Sequence, residues 1–401
     1  MGISHDLCEN YTAILKEELV PAMGCTEPIA IAYAAAKARE VLDEEPQHLK
    51  VCCSGNIVKN VKGVTVPNSG GQKGIEAAAA LGMVGGDASR ELEVIAGATD
   101  EDRERVRKLI QSKFCEVALA ENVPSLYIRV EAEGKGHTAV VVIEEHHTNI
   151  TRIEKDGKVL FEGKSPSPKE KKVSHGDKTK MSLRTILEYA ETVDIGDVRE
   201  ILDRQIEYNT RISQEGLDNN WGVRVGKTIL SVWGNDVRSS ACARAAAGSD
   251  ARMSGCPLPV VINSGSGNQG VTVTLPVVQY AESWHVSREK LYRSLIVSNL
   301  VSIYIKHYIG ALSAFCGAVS AAGGAGAAIT WMSGGDYASV GRTITNTLGN
   351  VGGIVCDGAK PSCAAKIASA VHAALLAHYM SVENRRFEGG EGFVEDDVEA
   401  T

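Results

Sequence analysis

Three cysteines in the second half of the chain carry the widest chemical possibilities: Cys316 in LSAFCGAVSAAGG, and Cys356 and Cys363 in GGIVCDGAKPSCAAK. Thiolates are soft ligands, and three without an obvious fourth suit an iron-sulfur cluster that keeps one iron open as a Lewis acid. The spacing does not decide the matter. Cys356-x6-Cys363 is not a CxxC zinc pattern and Cys316 lies 40 residues upstream, so buried core thiols fit the sequence as well. A structural zinc would need Cys25 or a histidine to complete its tetrahedron. Cys25 itself sits in PAMGCTEP, just before a helix that Thr26 caps and Pro28 opens. The positive end of that helix is expected to favour a reactive thiolate.

Other polar residues are candidates for holding a small anion. The run LPVVINSGSGNQG at 258–270 is rich in side-chain and backbone donors, with Asn263, Ser264, Ser266, Asn268 and Gln269 the candidates for a substrate carboxylate. It has GxxxxG spacing from Gly265 to Gly270 but lacks the Lys and Ser/Thr of a phosphate loop, which argues against nucleotides. An ordinary set of turns between helices is the competing reading. Arg252 just upstream offers a bidentate guanidinium, and Asn68 and Ser69 in VPNSGG add donors from the first half. His147 has the proton affinity for acid-base work. It follows His146, and neighbours on a strand point to opposite faces, so only one of the two is expected to face a site.

These groups must be positioned by an α+β fold. The chain opens with helical periodicity through Leu7, Tyr11, Ile14, Leu15 and Leu19 that breaks at Pro21, and an Ala-rich helix follows Thr26. Short β-type runs (LKVCCSG, GVTV) and helical segments lead to alternating stretches between 117 and 161, which predict an antiparallel sheet of three or four strands. Beyond residue 182 β-branched alternation nearly vanishes and Ala-rich helical segments dominate. The expected organisation is an N-terminal α/β lobe at 1–165 carrying the Cys25 helix and the antiparallel sheet, and a linker or mobile loop at 166–181. A mostly α-helical C-terminal lobe at 182–390 carries the three cysteines, and a solvated acidic tail closes the chain at 391–401.

Composition excludes several classes. In 401 residues, 44% are hydrophobic and 23% charged, enough to bury a core without cross-links. A net charge of -8 has the wrong sign for a nucleic-acid partner. The opening MGISHDLCENYTAILKEELV lacks a basic segment followed by an apolar one, so a cytoplasmic protein with its ten cysteines reduced is expected. Residues 309–332 contain no charge but are mostly Ala, Gly and Ser, which predicts a fully buried helix rather than a membrane span. No membrane partner is expected, and a homodimer is compatible with the sequence.

Together, PAMGCTEP (21–28), VTVP (64–67), HTNI (147–150), RISQEGL (211–217), SDARM (249–253), NSGSGNQG (263–270), LSAFC (312–316) and CDGA (356–359) with Cys363 resemble the iron-sulfur L-cysteine desulfidases, relatives of the iron-sulfur L-serine dehydratases. The motifs are spread in order over nearly the whole chain. The resemblance implies a 4Fe-4S cluster on Cys316, Cys356 and Cys363, with Cys25 a catalytic thiol or a fourth ligand. It implies α,β-elimination of L-cysteine to sulfide, ammonia and pyruvate, with L-serine the alternative substrate. The carboxylate would rest on the 263–270 loop and Arg252, and Cys25 or His147 would take the Cα proton. A pyridoxal phosphate lyase built on Lys360 would give the same net reaction, but no phosphate-cradling loop accompanies that lysine.

Overall fold

Alternating apolar residues build the sheet of the first half, and small residues build the helix packing of the second. The computed structural model describes residues 3–163, 176–310 and 313–401. Its first half contains α1 (His5–Glu18), β1 (Pro21–Met23), α2 (Thr26–Leu42), β2 (His48–Cys53), α3 (Gly55–Val61), α4 (Gly74–Gly85) and α5 (Asp100–Gln111). The strands β3 (Cys115–Leu119), β4 (Tyr127–Glu133), β5 (Thr138–Glu144), β6 (Ile150–Lys155) and β7 (Lys158–Glu162) follow. The second half contains α6 (Leu183–Thr192), α7 (Arg199–Asp218), α8 (Val225–Trp233), α9 (Val237–Met253), β8 (Pro259–Val261) and α10 (Gly267–Ser283). It ends with α11 (Arg288–Ile309), α12 (Gly317–Met332), α13 (Tyr337–Val351) and α14 (Cys363–Val382).

The sheet order is β3-β2-β4-β5-β6-β7, antiparallel except for the parallel β2–β3 pair. The register aligns Val51, Val130, Val141 and Ile153 across four strands. Val51, Val130 and Val141 are fully buried, and α2 packs on β4 and β5. A strand has two faces, so this row commits one of them to the core. Behind α2 lies α4, and they approach closely at Gly82, where an added Cβ would fall 2.1 Å from the Ala32 carbonyl oxygen.

The fold is α+β as expected, with three differences in detail. The halves are not joined solely through 166–181, a segment that lies mostly outside the described residues. Strand β1 pairs with β8, and on α1 Tyr11 and Thr12 hydrogen-bond Thr185 and Tyr189 of α6 at 2.6 and 2.7 Å. The first helix thus packs on the helical half. Secondly, the uncharged stretch 309–332 is not one helix: α11 ends at Ile309 and α12 begins at Gly317. Among the described residues no helix is long and apolar enough to cross a membrane. Thirdly, 391–401 is not a solvated tail. Val394 is buried, and Glu399 accepts hydrogen bonds from the Leu183 amide and the Tyr304 hydroxyl. Its charge is used to anchor the end of the chain, which composition does not reveal.

Gly82→Val should cost about 1 to 3 kcal/mol in urea unfolding, because the α2–α4 contact leaves no room for a side chain. His378, buried and hydrogen-bonded to Thr330 at 2.9 Å, gives a pH-dependent prediction. Burial pushes it down from 6.5 to about 4. The unfolded chain takes up a proton that the folded protein refuses, so its contribution is complete above pH 6.5 and is lost as pH falls toward 4. Stability should therefore fall by roughly 2 to 3 kcal/mol from this group over that window. His378→Gln should flatten the slope measured by urea unfolding between those two pH values.

Candidate active site

The peptide N–H groups at a helix start have no intrahelical acceptor and carry a partial positive charge. Four such starts line one cavity of about 350 Å³. They are Cys25, Thr26 and Glu27 of α2, Ser266, Gly267, Asn268 and Gln269 of α10, Cys316 and Gly317 of α12, and Cys363 of α14. Gly24 makes the turn that aims Cys25: its φ is +51°, and an added Cβ would strike Pro67 at 1.9 Å. Thr26 donates to the Gly265 carbonyl at 2.8 Å, and the buried Arg252 guanidinium donates to the Gly24 carbonyl and the Asn268 side chain. These bonds fix the starts of α2 and α10 against each other.

The three cysteines of the second half are brought together by a clip that sequence spacing does not encode. Phe315 and Val355 form an antiparallel bridge. Around it the Cys316 amide donates to the Ile354 carbonyl at 2.9 Å and the Cys356 amide to the Ala314 carbonyl at 2.7 Å. Cys363 joins them at the start of α14. Ten cysteines are free, and four of them, Cys25, Cys316, Cys356 and Cys363, line the cavity. Burial pushes the Cys316 and Cys363 thiols up, and the neighbouring cysteines add to this. Among the described residues no group of three or more His, Cys, Asp or Glu could hold a single metal ion. Cys316, Cys356 and Cys363 share one cavity wall, and three soft thiols fit the donor chemistry of an iron-sulfur cluster.

Cys25 has a different setting. Its Sγ donates to Glu27 Oε2 at 2.8 Å, and Glu27 also accepts from Thr26 at 3.2 Å and from Asn60 at 2.8 Å. Burial and the Glu27 carboxylate push the Cys25 thiol well up, although Arg252 opposes them. Burial first, and then an acid within hydrogen-bond reach, work against the thiolate expected at this helix start. Burial works to raise Glu27 too, but His147 and the donors around the carboxylate hold it below the ordinary value. Burial lowers His147, against the pull of Glu27, and so disfavours its imidazolium form.

The predicted residues divide cleanly. His147, Arg252, Ser264, Ser266, Asn268 and Gln269 line the cavity with the four cysteines. Asn263 does not: it lies beneath the loop, bonded to Asn299 and Ser302, where it shapes the turn. Asn68 and Ser69 also lie outside the lining. Asn68 ties the 95–98 carbonyls to Arg103, and Ser69 closes a turn with Gln72. His146 and His147 follow β5 in a turn rather than on a strand, so both line the cavity. Lys360, the alternative Schiff-base lysine, is paired with Asp357 and bonded to its carbonyl.

Among the described residues, four buried polar atoms of the lining side chains have no hydrogen-bond partner: Asn60 Oδ1, His147 Nε2, Arg252 Nε and Gln269 Oε1. Such atoms are costly unless a ligand satisfies them. Sequence reasoning missed Glu27 and Lys306. The first was hidden by its role as an ordinary first-turn acid. Lys306, buried against the cavity, was hidden inside an apolar helix pattern. Its position before the break at Gly310 was the available signal.

Comparison with known proteins agrees with this arrangement. A UPF0597 protein of Lachnoclostridium phytofermentans is 54% identical over 97% of this chain and 92% of its own. One from Finegoldia magna is 50% identical over 98% and 94%. A third, from Treponema denticola, is 47% identical over 100% and 94%. The family model described as serine dehydratase alpha chain matches residues 89–401, which include all three clustered cysteines and Arg252. With that match and such relatives along its whole length, the chain belongs to the serine dehydratase alpha-chain family.

Proposed function

We propose that this protein is an L-cysteine desulfidase, a carbon-sulfur lyase that eliminates sulfide from L-cysteine and yields pyruvate and ammonia with the help of a 4Fe-4S cluster. The observation that carries this reading is the meeting of Cys316, Cys356 and Cys363 with unpartnered polar atoms in one cavity. Membership of a family that is generally iron-sulfur dependent supports it. Cys316, Cys356 and Cys363 would hold the cluster, which when bound supplies a Lewis acid for the departing sulfur.

The remaining work falls to the chain. The unpartnered atoms are of both kinds. Arg252 Nε is a donor, as are the N–H groups at the start of α10, and together they suit a carboxylate. Asn60 Oδ1 and Gln269 Oε1 are acceptors suited to an ammonium group, and His147 Nε2 is a third when the ring proton sits on Nδ1. Ser264, Ser266 and Asn268 complete the carboxylate side. A free α-amino acid presents both groups on one carbon, and holding both fixes the Cα–H bond in the cavity. Cys25 takes that proton, and the aminoacrylate released after sulfide departs hydrolyses to pyruvate and ammonia.

Cysteine leads over serine because a soft sulfur matches iron better than a hydroxyl does. The second reading, an L-serine dehydratase, is favoured by the family match itself. Protein reconstituted anaerobically with iron and sulfide should release sulfide and pyruvate from L-cysteine, and Cys356→Ala should abolish both. Turnover of L-serine alone would move the reaction to dehydration. Bound iron with turnover of neither amino acid would make the protein a non-catalytic metalloprotein.

A further inference from the structure

Cys25 is the wrong group, as it stands, to remove a proton: buried in the cavity wall, it holds its own. The surrounding residues supply a partner for it. Glu27 lies two residues on, in the first turn of the same helix, is itself buried, and accepts a hydrogen bond from the Cys25 thiol at 2.8 Å on Oε2. Its other oxygen, Oε1, is fixed by the Asn60 amide of α3 at 2.8 Å. Removing a carboxylate from water is costly, and Glu27 is held in place by donors from Cys25, Thr26 and Asn60. The titratable and charged groups facing the pair are the Arg252 guanidinium from α9 and the His147 imidazole from the turn after β5. Val64 and Met253 close the apolar side.

Resting on the desulfidase reading, we propose that Glu27 is the proton acceptor that arms Cys25, a positioning residue that acts on the substrate only through that thiol. The Cys25 S–H proton passes to Glu27 Oε2, leaving a thiolate on the cavity wall. The thiolate forms a new S–H bond with the Cα proton of L-cysteine as the Cα–H bond breaks. The electron pair forms the Cα–Cβ double bond, and the Cβ–S bond breaks with its pair leaving on sulfur as hydrosulfide. Hydrosulfide takes the proton from the Glu27 carboxyl and leaves as hydrogen sulfide. Cys25 is again a thiol and Glu27 again a carboxylate, so no oxidant or reductant is needed. Asn60 holds Oε1 throughout, which keeps Oε2 turned toward Cys25.

This assignment separates two effects that usually move together. In Glu27→Gln the negative charge beside Cys25 disappears, so the thiol becomes easier to ionise, yet the group that receives its proton is gone. Alkylation of Cys25 by iodoacetamide in the metal-free full chain, read by peptide mass spectrometry at mildly alkaline pH, should accelerate about tenfold, the equivalent of one pKa unit. In reconstituted protein kcat for L-cysteine should fall by about 100-fold or more with KM little changed. Glu27→Asp, which keeps the carboxylate, should recover part of kcat, and Asn60→Ala should lower kcat less than Glu27→Gln does. An unchanged alkylation rate in Glu27→Gln would overturn the pairing. Faster alkylation with equal or faster turnover would overturn proton acceptance, leaving Glu27 only a brake on the thiol. If the unaltered protein turns over neither amino acid, the desulfidase reading fails, and the alkylation rates alone then decide whether Glu27 holds the Cys25 proton.

Discussion

Four helices begin at one cavity, and each brings the same sign of partial charge to it. One helix end attracts an anion by about 0.3 to 1 kcal/mol when exposed, and by more when partly buried. Gathering several of them, with the Arg252 guanidinium, into about 350 Å³ is tolerable only if negative charge compensates. Glu27 supplies some of it within the chain. On the proposed function, the rest would come from the thiolate ligands and the carboxylate of a substrate. The connections that bring the helix ends together are correspondingly specific: the β1–β8 pair, the Arg252 bridge between Gly24 and Asn268, and the Phe315–Val355 bridge.

What could be read from the sequence depended on whether the information was local. The sheet was local: alternation in β4 to β7 and the turns between them identify four neighbouring strands, and the structure pairs them in chain order. The parallel β3 beside β2 was not, because α3, α4 and α5 lie between the two strands. The loop at 258–270 declared itself through its donors, and four of its five predicted residues face the cavity. Asn263 fails for a non-local reason: it is bonded to Asn299 of α11, a partner that no window of sequence includes. Asn68 failed similarly, because a donor-rich turn looks the same whether it serves a ligand or the 95–98 carbonyls. The grouping of Cys316 with Cys356 was invisible for the opposite reason, since the clip is made of backbone bonds and leaves no side-chain signature. Only the comparison of whole motifs pointed to it.

The same cavity wall treats its cysteines in two ways, and the difference lies in the charges around them. Burial raises Cys316 and Cys363, but lysines oppose it: Lys366 acts on both, and Lys360 on Cys363. Lys306, itself pushed down by burial, is drawn back up by Cys356 and Cys316, and Lys59 reaches the Cys356 carbonyl at 3.5 Å. A positive surround lowers the cost of charging a thiol, which is what a metal ligand must undergo. Cys25 instead has a carboxylate at 2.8 Å, and Arg252 is the cation that opposes it. There the charged thiol is disfavoured at rest. A helix start alone would have activated all three of Cys25, Cys316 and Cys363 alike, so the dipole does not assign their roles. On the proposed function the side chains around them do: lysines surround the sulfurs that would give up protons to a metal, and Glu27 holds the Cys25 proton in a hydrogen bond at rest.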